Sequence, residues 1–331
     1  MIMQPGVIAL LVVSLGTAGL LLYVAKIAVQ TLTRWNLGSG SEQQLLLERK
    51  TALVSTIVAF VLGFQVVTLA LFVYTVDALH PLFAGSMCAA GTLNVNPLGY
   101  PALMLKLLCT ILAGVWMIVN RADYLAHDFP LIKVKFALLL VLAPLAVLEA
   151  GTLTAYFFLL TPDVITSCCG SLFEAGRATL GGLLAGLTPL PTAIVFYVIS
   201  GATIVSGVVT WRTGRGGLFL AVAGLAAFVS GIAALVAFFC LYYYEIPTHH
   251  CPFCLLQPEY GRIGYLLYGL LISGVVAGCG GGVIYLNRKR SSLAAIAPLM
   301  QRRLALWTAL SFAAYLLLVT IKLVTTSFRL D

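Results

Sequence analysis

Eight apolar runs, at about residues 6–31, 51–79, 100–119, 132–160, 190–210, 217–243, 263–286 and 303–327, limit what this chain can become. A helix needs about 20 apolar residues to cross the hydrocarbon of a bilayer, and runs of this size predict about eight such helices. Composition agrees: 61% of the 331 residues are hydrophobic and 9% carry a formal charge, against roughly 25% charged in a soluble domain. So few polar groups cannot cover a soluble surface, so lipid must be the solvent for most of the chain. The expected fold is all-α, a polytopic transmembrane helical bundle forming one integral membrane domain over residues 1–331.

The net charge of +8 could suggest nucleic acid, but the basic residues cluster between apolar runs, where membrane topology explains them. Lys26, Arg34, Arg49 and Lys50 flank the first connection, and Arg121, Lys133 and Lys135 mark the third. Arg212 and Arg215 mark the fifth, and Arg288, Lys289, Arg290, Arg302 and Arg303 the seventh. The even connections hold only Arg177 and Arg262. Excess Lys and Arg marks the cytoplasmic side, so both termini and the even connections are expected outside. No positive charge precedes the first run and no small-residue cleavage site follows it, so it reads as a retained helix and not a signal peptide. Asn36 to Lys50 reads as a loop entering an amphipathic turn, and Leu172 to Leu187 as a short interfacial helix or a re-entrant lid.

Two of the outer connections echo each other. One reads Met87-Cys88, Asn94, Asn96-Pro97, then Gly99-Tyr100 entering a helix that ends at Asn120-Arg121. The other reads Cys251-Pro252-Phe253-Cys254, Pro258, then Gly264-Tyr265 entering a helix that ends at Asn287-Arg288. Internal repeats are common in membrane folds, so 51–121 and 217–288 form candidate repeated hairpins, with chance similarity of Gly-rich apolar segments as the competing reading.

Cysteine usage carries the chemistry. Of eight cysteines, Cys88, Cys168, Cys169, Cys251 and Cys254 fall in outer connections and Cys240 near the outer end of a run, whereas Cys109 and Cys279 lie inside runs, where packing accounts for them. In Cys251-Pro252-Phe253-Cys254, two intervening residues let both sulfurs meet in one turn. A helix beginning there would favour the thiolate of the first cysteine. The same spacing offers two ligands to a thiophilic metal, with His249 and His250 beside it as further ligands or proton acceptors. A static disulfide there would be a poor staple, because stabilisation grows with loop length. Cys168-Cys169 can close only a strained ring with each other. They suit a redox pair, soft-metal capture or separate bonds to other cysteines, and Cys88 is a partner for either of them or for Cys254.

The string Cys251-Pro252-Phe253-Cys254-Leu255-Leu256-Gln257, between an outward and an inward helix, resembles the active-site hairpin of the quinone-linked disulfide-generating membrane oxidoreductases, the DsbB and vitamin K epoxide reductase type. The resemblance implies that Cys251 and Cys254 exchange electrons with a membrane quinone and that Arg262 stands near it, although Arg262 follows Cys254 at a longer interval than the family's arginine. It also implies a second cysteine pair relaying to a soluble thiol protein. The family carries that pair between its two later helices, where this chain has none, so Cys88, Cys168 or Cys169 would have to supply it.

Glu149 falls near the middle of the fourth run, where a carboxylate must be neutral, paired or hydrated. It reads either as a site for a proton, substrate or cofactor, or as a protonated residue bonding a neighbouring helix. Lys106 is a candidate partner, and the run boundaries put the two about 8 Å apart in depth, which leaves direct pairing open. No two histidines face each other at membrane depth, so a bis-histidine haem is not expected, and Walker, acidic-cage and Gly-x-Ser-x-Gly motifs are absent. Three functions fit: a thiol–disulfide oxidoreductase linking an outer thiol protein to a quinone, a soft-metal binder or permease for copper, zinc or mercury, and a non-catalytic subunit of a membrane complex held by structural disulfides. Six methionines without a ladder inside a run argue mildly against copper transport. The expected location is the plasma membrane, in a bacterium the inner membrane with the thiols in the periplasm.

Overall fold

The computed structural model describes residues 2–36, 38–162, 164–166, 173, 180–290 and 292–329. Among them there is no strand. Among the described residues, eight helices are long and apolar enough to span a membrane. They are α1 (Pro5–Arg34), α2 (Glu42–Ala78), α4 (Gly99–Leu125), α5 (Ile132–Phe158), α7 (Pro189–Thr213), α8 (Gly217–Tyr244), α9 (Ile263–Asn287) and α10 (Leu293–Thr325). Two short helices, α3 (Ala89–Leu93) and α6 (Leu180–Ala185), lie in connections.

Local signals set the helix ends. Pro5 and Pro189 open α1 and α7, where the missing N–H has no helical partner to lose. Gly214 ends α7 at φ +69°, a left-handed position that glycine takes without strain. Two boundaries differ from the hydropathy reading. α2 starts at Glu42, because Gln44 and Leu47 turn a buried face inward and Gln44 donates to Glu48 one turn on. The expected loop therefore shrinks to the few residues before Glu42. α10 likewise starts at Leu293, before its basic turn, and carries Pro298 inside it. Both starts are amphipathic helix, which average hydropathy hides.

The chain forms two compact units, residues 1–73, 96–160 and 283–300 in the first and 74–95, 161–282 and 301–331 in the second. In the first, α1 and α4 both pack on α5. Its core joins Leu21, Val24 and Ala28 of α1 with Val58 and Leu62 of α2, Trp116 of α4, and Phe136 and Leu139 of α5. The turn between α4 and α5 is fixed by polar contacts: Asp123 accepts the backbone N–H of Leu131 at 2.7 Å and pairs with Lys135, also at 2.7 Å. Outward residues such as Val12, Phe60 and Phe64 stay exposed and apolar, as a lipid-facing surface requires.

In the second unit, small residues let α7, α8, α9 and α10 approach closely. A Cβ on Gly207 of α7 would meet the Ala309 Cβ of α10 at 2.8 Å, and one on Gly282 of α9 would meet the Ala221 Cβ of α8 at 2.6 Å. Phe196 packs edge-on against both Phe239 and Tyr315, and the Tyr315 hydroxyl donates to the Gly231 carbonyl at 3.0 Å. α8 contains a π-helical turn over Leu235–Phe239. Glu245, just past α8, accepts from Thr326 at 2.8 Å and pairs with Lys322 at 3.3 Å, so the C-terminal end of α10 stands at the same end of this unit as the end of α8.

Candidate thiol site

Two loops of the second unit build the site. The first follows the 3-10 turn His80–Leu82 and places Cys88 immediately before α3, in extended backbone at φ −161°. The Asp77 carboxylate accepts the Ala89 N–H at 3.0 Å, and Ser86 Oγ donates to the Cys88 carbonyl at 3.2 Å, so the residues on both sides of the cysteine are tied down. Gly91 is needed here, because a Cβ would meet Ser86 Oγ at 2.3 Å.

The second loop runs from Glu245 to Arg262. Its backbone is held at Cys251 and Pro252 by two tyrosines from different helices. Tyr244 of α8 donates to the Cys251 carbonyl at 2.6 Å, and Tyr268 of α9 donates to the Pro252 carbonyl at 2.8 Å. Two further anchors complete the seat. His250 Nδ1 bonds the Val236 carbonyl at 2.9 Å inside the π-helical turn, and Gln257 Nε2 donates to the Met87 carbonyl at 2.7 Å, joining one loop to the other. A π-helical turn is a frequent functional irregularity; here one of its carbonyls receives a side chain. Cys254 opens a 3-10 turn over Cys254–Leu256 and α9 starts only at Ile263, so no α-helix begins at the cysteine pair and a helix dipole does not act on Cys251 as the spacing suggested.

The loops bring Cys88, Cys251 and Cys254 together. Their sulfurs all lie within 4.8 Å of one another, Cys88 and Cys251 at 3.6 Å, and all three are buried. Cys240 lies just beneath, its thiol 3.8 Å from the Cys251 carbonyl. Cys109, Cys240 and Cys279 are free thiols. Cys168 and Cys169 lie outside the described residues.

The histidines are placed otherwise than as a four-ligand set with Cys251 and Cys254. His250 is engaged by the backbone, and the sulfur cluster is completed by Cys88. The His249 ring packs edge-on against Tyr244 at 4.3 Å, and its Nε2 is buried without a hydrogen-bond partner. Burial holds the His249 pKa below its ordinary value and His250 adds to this, with Cys88 opposing. His249 is therefore neutral near pH 7. Arg262 is exposed, with φ +55°, and its backbone N–H closes the loop on the Gln257 carbonyl at 3.1 Å. Glu149 belongs to the first unit, where it pairs with Lys106 at 2.9 Å. The depth gap closes because α4 begins one residue before its apolar run and α5 ends two residues before the end of its own, which leaves the two about 3 Å apart in depth, within reach of a lysine side chain.

Two groups at the thiol site were not singled out from sequence: Tyr244 and Tyr268 are ordinary interfacial tyrosines until the loop folds over them, whereas Cys240 was already placed with the outer-end cysteines. The Tyr242–Tyr243–Tyr244 run just before the cysteine motif was the available signal. Comparison of the chain with protein-family models, curated sequences and solved structures returns no match.

Proposed function

We propose that the chain is a membrane thiol–disulfide oxidoreductase whose exchange centre is Cys88, Cys251 and Cys254. The carrying observation is that a third sulfur, far away in sequence, stands 3.6 Å from the Cys-x-x-Cys pair. Three sulfurs are the minimum for exchange, in which a thiolate attacks one sulfur of a disulfide and displaces the other. With the Cys251–Cys254 bond formed, the Cys88 thiolate attacks Cys251 Sγ. A Cys88–Cys251 bond forms, the Cys251–Cys254 bond breaks, and Cys254 leaves as a thiolate that takes up a proton. Electrons enter from an outer thiol protein that becomes oxidised to its disulfide. A membrane quinone, reduced to its hydroquinone with two electrons and two protons, is the acceptor class the hairpin suggests. His249 fits such an acceptor, since its buried Nε2 is left without a partner and is free to hydrogen-bond a ring oxygen.

The Asp77 carboxylate beside Cys88 opposes further negative charge at the centre. Three buried sulfurs beside a neutral His249 suit thiols and disulfides better than three thiolates, whose desolvation is costly. A second reading rests on the mutual sulfur distances: sulfurs about 4 Å apart match three ligands around a soft ion at the 2.3 Å typical of Zn–S bonds. The basic clusters at the odd connections support an orientation with the thiol loops on the outer face of a plasma membrane.

The test is differential alkylation and mass spectrometry of the purified full chain, with metal analysis on the same sample. The expected result is a Cys251–Cys254 disulfide that opens with mild dithiol and reforms with added quinone. Stoichiometric metal with all three cysteines alkylated only after chelation would replace this reading with the soft-metal one.

A further inference from the structure

A second polar centre lies inside the first unit, contributed by four helices. Lys106 of α4 donates to Glu149 Oε1 of α5 at 2.9 Å and to Ser14 Oγ of α1 at 3.1 Å. Ser14 Oγ donates in turn to Glu149 Oε1 at 3.2 Å, and Gln65 Nε2 of α2 donates to Glu149 Oε2 at 3.1 Å. Lys106 and Glu149 are 0% exposed, and Ser14 and Gln65 1%. Counted along the helices, Lys106 lies about 10 Å from the start of α4 and Glu149 about 13 Å from the end of α5, deep enough for both charges to be within hydrocarbon thickness.

Stability does not account for this centre. A buried ion pair contributes little net stability, and a packed apolar pair of similar volume is often as good or better. Ionisable groups at this depth mark ion or proton pathways by default. Geometry selects the proton. The cation position beside Glu149 is already filled by Lys106, which leaves little place for a metal ion. Ser14 accepts from Lys106 while donating to Glu149, so a proton can shift along Nζ–H···Oγ–H···Oε1 without any helix moving. Two of the buried polar atoms without a partner among the described residues are Gln65 Oε1, of the amide that donates to Glu149, and Thr110 Oγ1, one turn along α4 from Lys106; water would satisfy either.

We propose that Lys106, Ser14 and Glu149 form a proton-transfer site that loads and releases one proton at membrane depth. The resting pair holds an ammonium and a carboxylate. A proton arriving from one side binds the Glu149 carboxylate and leaves Lys106 as an uncompensated buried cation. Lys106 then gives up its own proton on the other side, leaving a neutral amine and a neutral carboxylic acid. Transfer from Glu149 to Lys106 through Ser14 restores the ion pair, so one proton has entered and one has left. Ser14 is a positioning residue that supplies the relay. The titratable groups facing Glu149 from packed helices are Lys106 and Cys109, both on α4; α1 and α2 present the uncharged Ser14 and Gln65.

Infrared difference spectroscopy of the full chain in lipid, titrated with pH, tests this. A carbonyl-stretch band of a buried carboxylic acid should grow as pH falls, shift down in deuterium oxide and vanish in Glu149→Gln. Lys106→Met, which keeps the carboxyl but removes its cation, should strengthen the band at neutral pH relative to wild type. Size-exclusion and thermal unfolding check that each variant is folded. If Glu149→Gln does not fold, Lys106→Met decides alone. A band absent over the whole range in which the protein is folded, a band that survives Glu149→Gln, or a band unchanged by Lys106→Met would each overturn the proposal.

Discussion

Cys88 Sγ and Cys251 Sγ stand 3.6 Å apart although 163 residues separate them. A disulfide needs its sulfurs about 2.05 Å apart, so closing this pair takes a movement of roughly 1.5 Å, within the reach of a side-chain rotation while hydrogen bonds hold the loop backbones. Among the described residues, both Cys88 and Cys254 bring a sulfur within 4.8 Å of Cys251. Cys254→Ser removes one of these two, so mild oxidation should convert the chain to a Cys88–Cys251 disulfide. That bond closes a long loop and should speed migration of the unreduced protein on a denaturing gel. The added substitution Cys88→Ser should abolish the shift. Unchanged mobility of oxidised Cys254→Ser would show that the two sulfurs do not meet.

The tyrosines beneath the loop give a second prediction. Tyr244 and Tyr268 each donate a buried hydroxyl to the backbone of the cysteine motif. Removing one hydroxyl as Tyr→Phe forfeits a hydrogen bond and leaves a buried carbonyl less satisfied, at a cost of about 1–2 kcal/mol. The Pro252 carbonyl has no second donor, whereas the Cys251 carbonyl keeps the weak Cys240 thiol. Tyr268→Phe should therefore loosen the loop at least as much as Tyr244→Phe despite the longer bond. Alkylation rates of reduced Cys251 and Cys254 read this out: both variants should react faster than wild type while Cys279 reacts at the wild-type rate.

These contacts also mark what the sequence could reveal. The eight spans were legible because bilayer thickness imposes a length, and Lys and Arg frame it. The starts of α2 and α10 were not, since Gln44 and the basic turn of α10 lower average hydropathy although the backbone stays helical. Cys251 and Cys254 were legible as a local motif, but the choice of Cys88 as third sulfur depends on where the end of α2 meets the loop after α8. Lys106 was legible as the candidate partner of Glu149, and the apparent depth gap between them closes once the true helix ends and the reach of a lysine are counted. Ser14 and Gln65 are lone polar residues within apolar runs, and that was the signal available for them.

Close helix packing gives a third prediction. At Gly207, the nearest atoms to an added Cβ are the Ala309 Cβ at 2.8 Å and the Ala305 carbonyl oxygen at 3.0 Å. The carbonyl belongs to the backbone of α10 and cannot rotate away, so the helices must separate. Gly207→Val should destabilise the protein by about 1–3 kcal/mol through overpacking, whereas Gly201→Val on the same helix, where nothing lies within 4 Å, should be nearly neutral. Thermal unfolding of the two variants in one detergent compares them directly; equal melting temperatures would contradict the close α7–α10 approach.

Glu245 supplies the pH prediction. Its hydrogen bonds from Thr326 and Lys322, and then the lysine charge, hold its pKa below the ordinary value of 4.5. A folded-state pKa lowered in this way gives stability that is present above pH 4.5 and lost as pH falls through the lowered value. The group is exposed, so the global effect is small and the local one is the better readout. Hydrogen exchange in the segment around Thr326 and Phe328 should be faster in Glu245→Gln than in wild type at neutral pH. The difference should disappear in acid, once Glu245 itself is protonated. No difference at neutral pH would remove Glu245 as the anchor of the C-terminal segment.

The buried ion pair separates the cost of breaking a pair from the worth of having one. Lys106→Met leaves Glu149 with Ser14 and Gln65 as donors, and Glu149→Leu leaves an ammonium with only the Ser14 hydroxyl. Each single change strands a desolvated charge or forces it neutral, at about 3–5 kcal/mol. The carboxylate keeps two neutral donors and the ammonium one acceptor, so Glu149→Leu should be the worse of the two. The double variant Lys106→Met/Glu149→Leu strands neither charge and replaces them by apolar groups of similar bulk among helices that are already apolar. Its stability should return to near wild type or exceed it, a strong positive coupling in a double-mutant cycle. Unfolding in a denaturing detergent titration measures all four proteins. A double variant as unstable as the sum of the singles would mean that the pair itself holds α1, α4 and α5 together, and that its place in the membrane is structural.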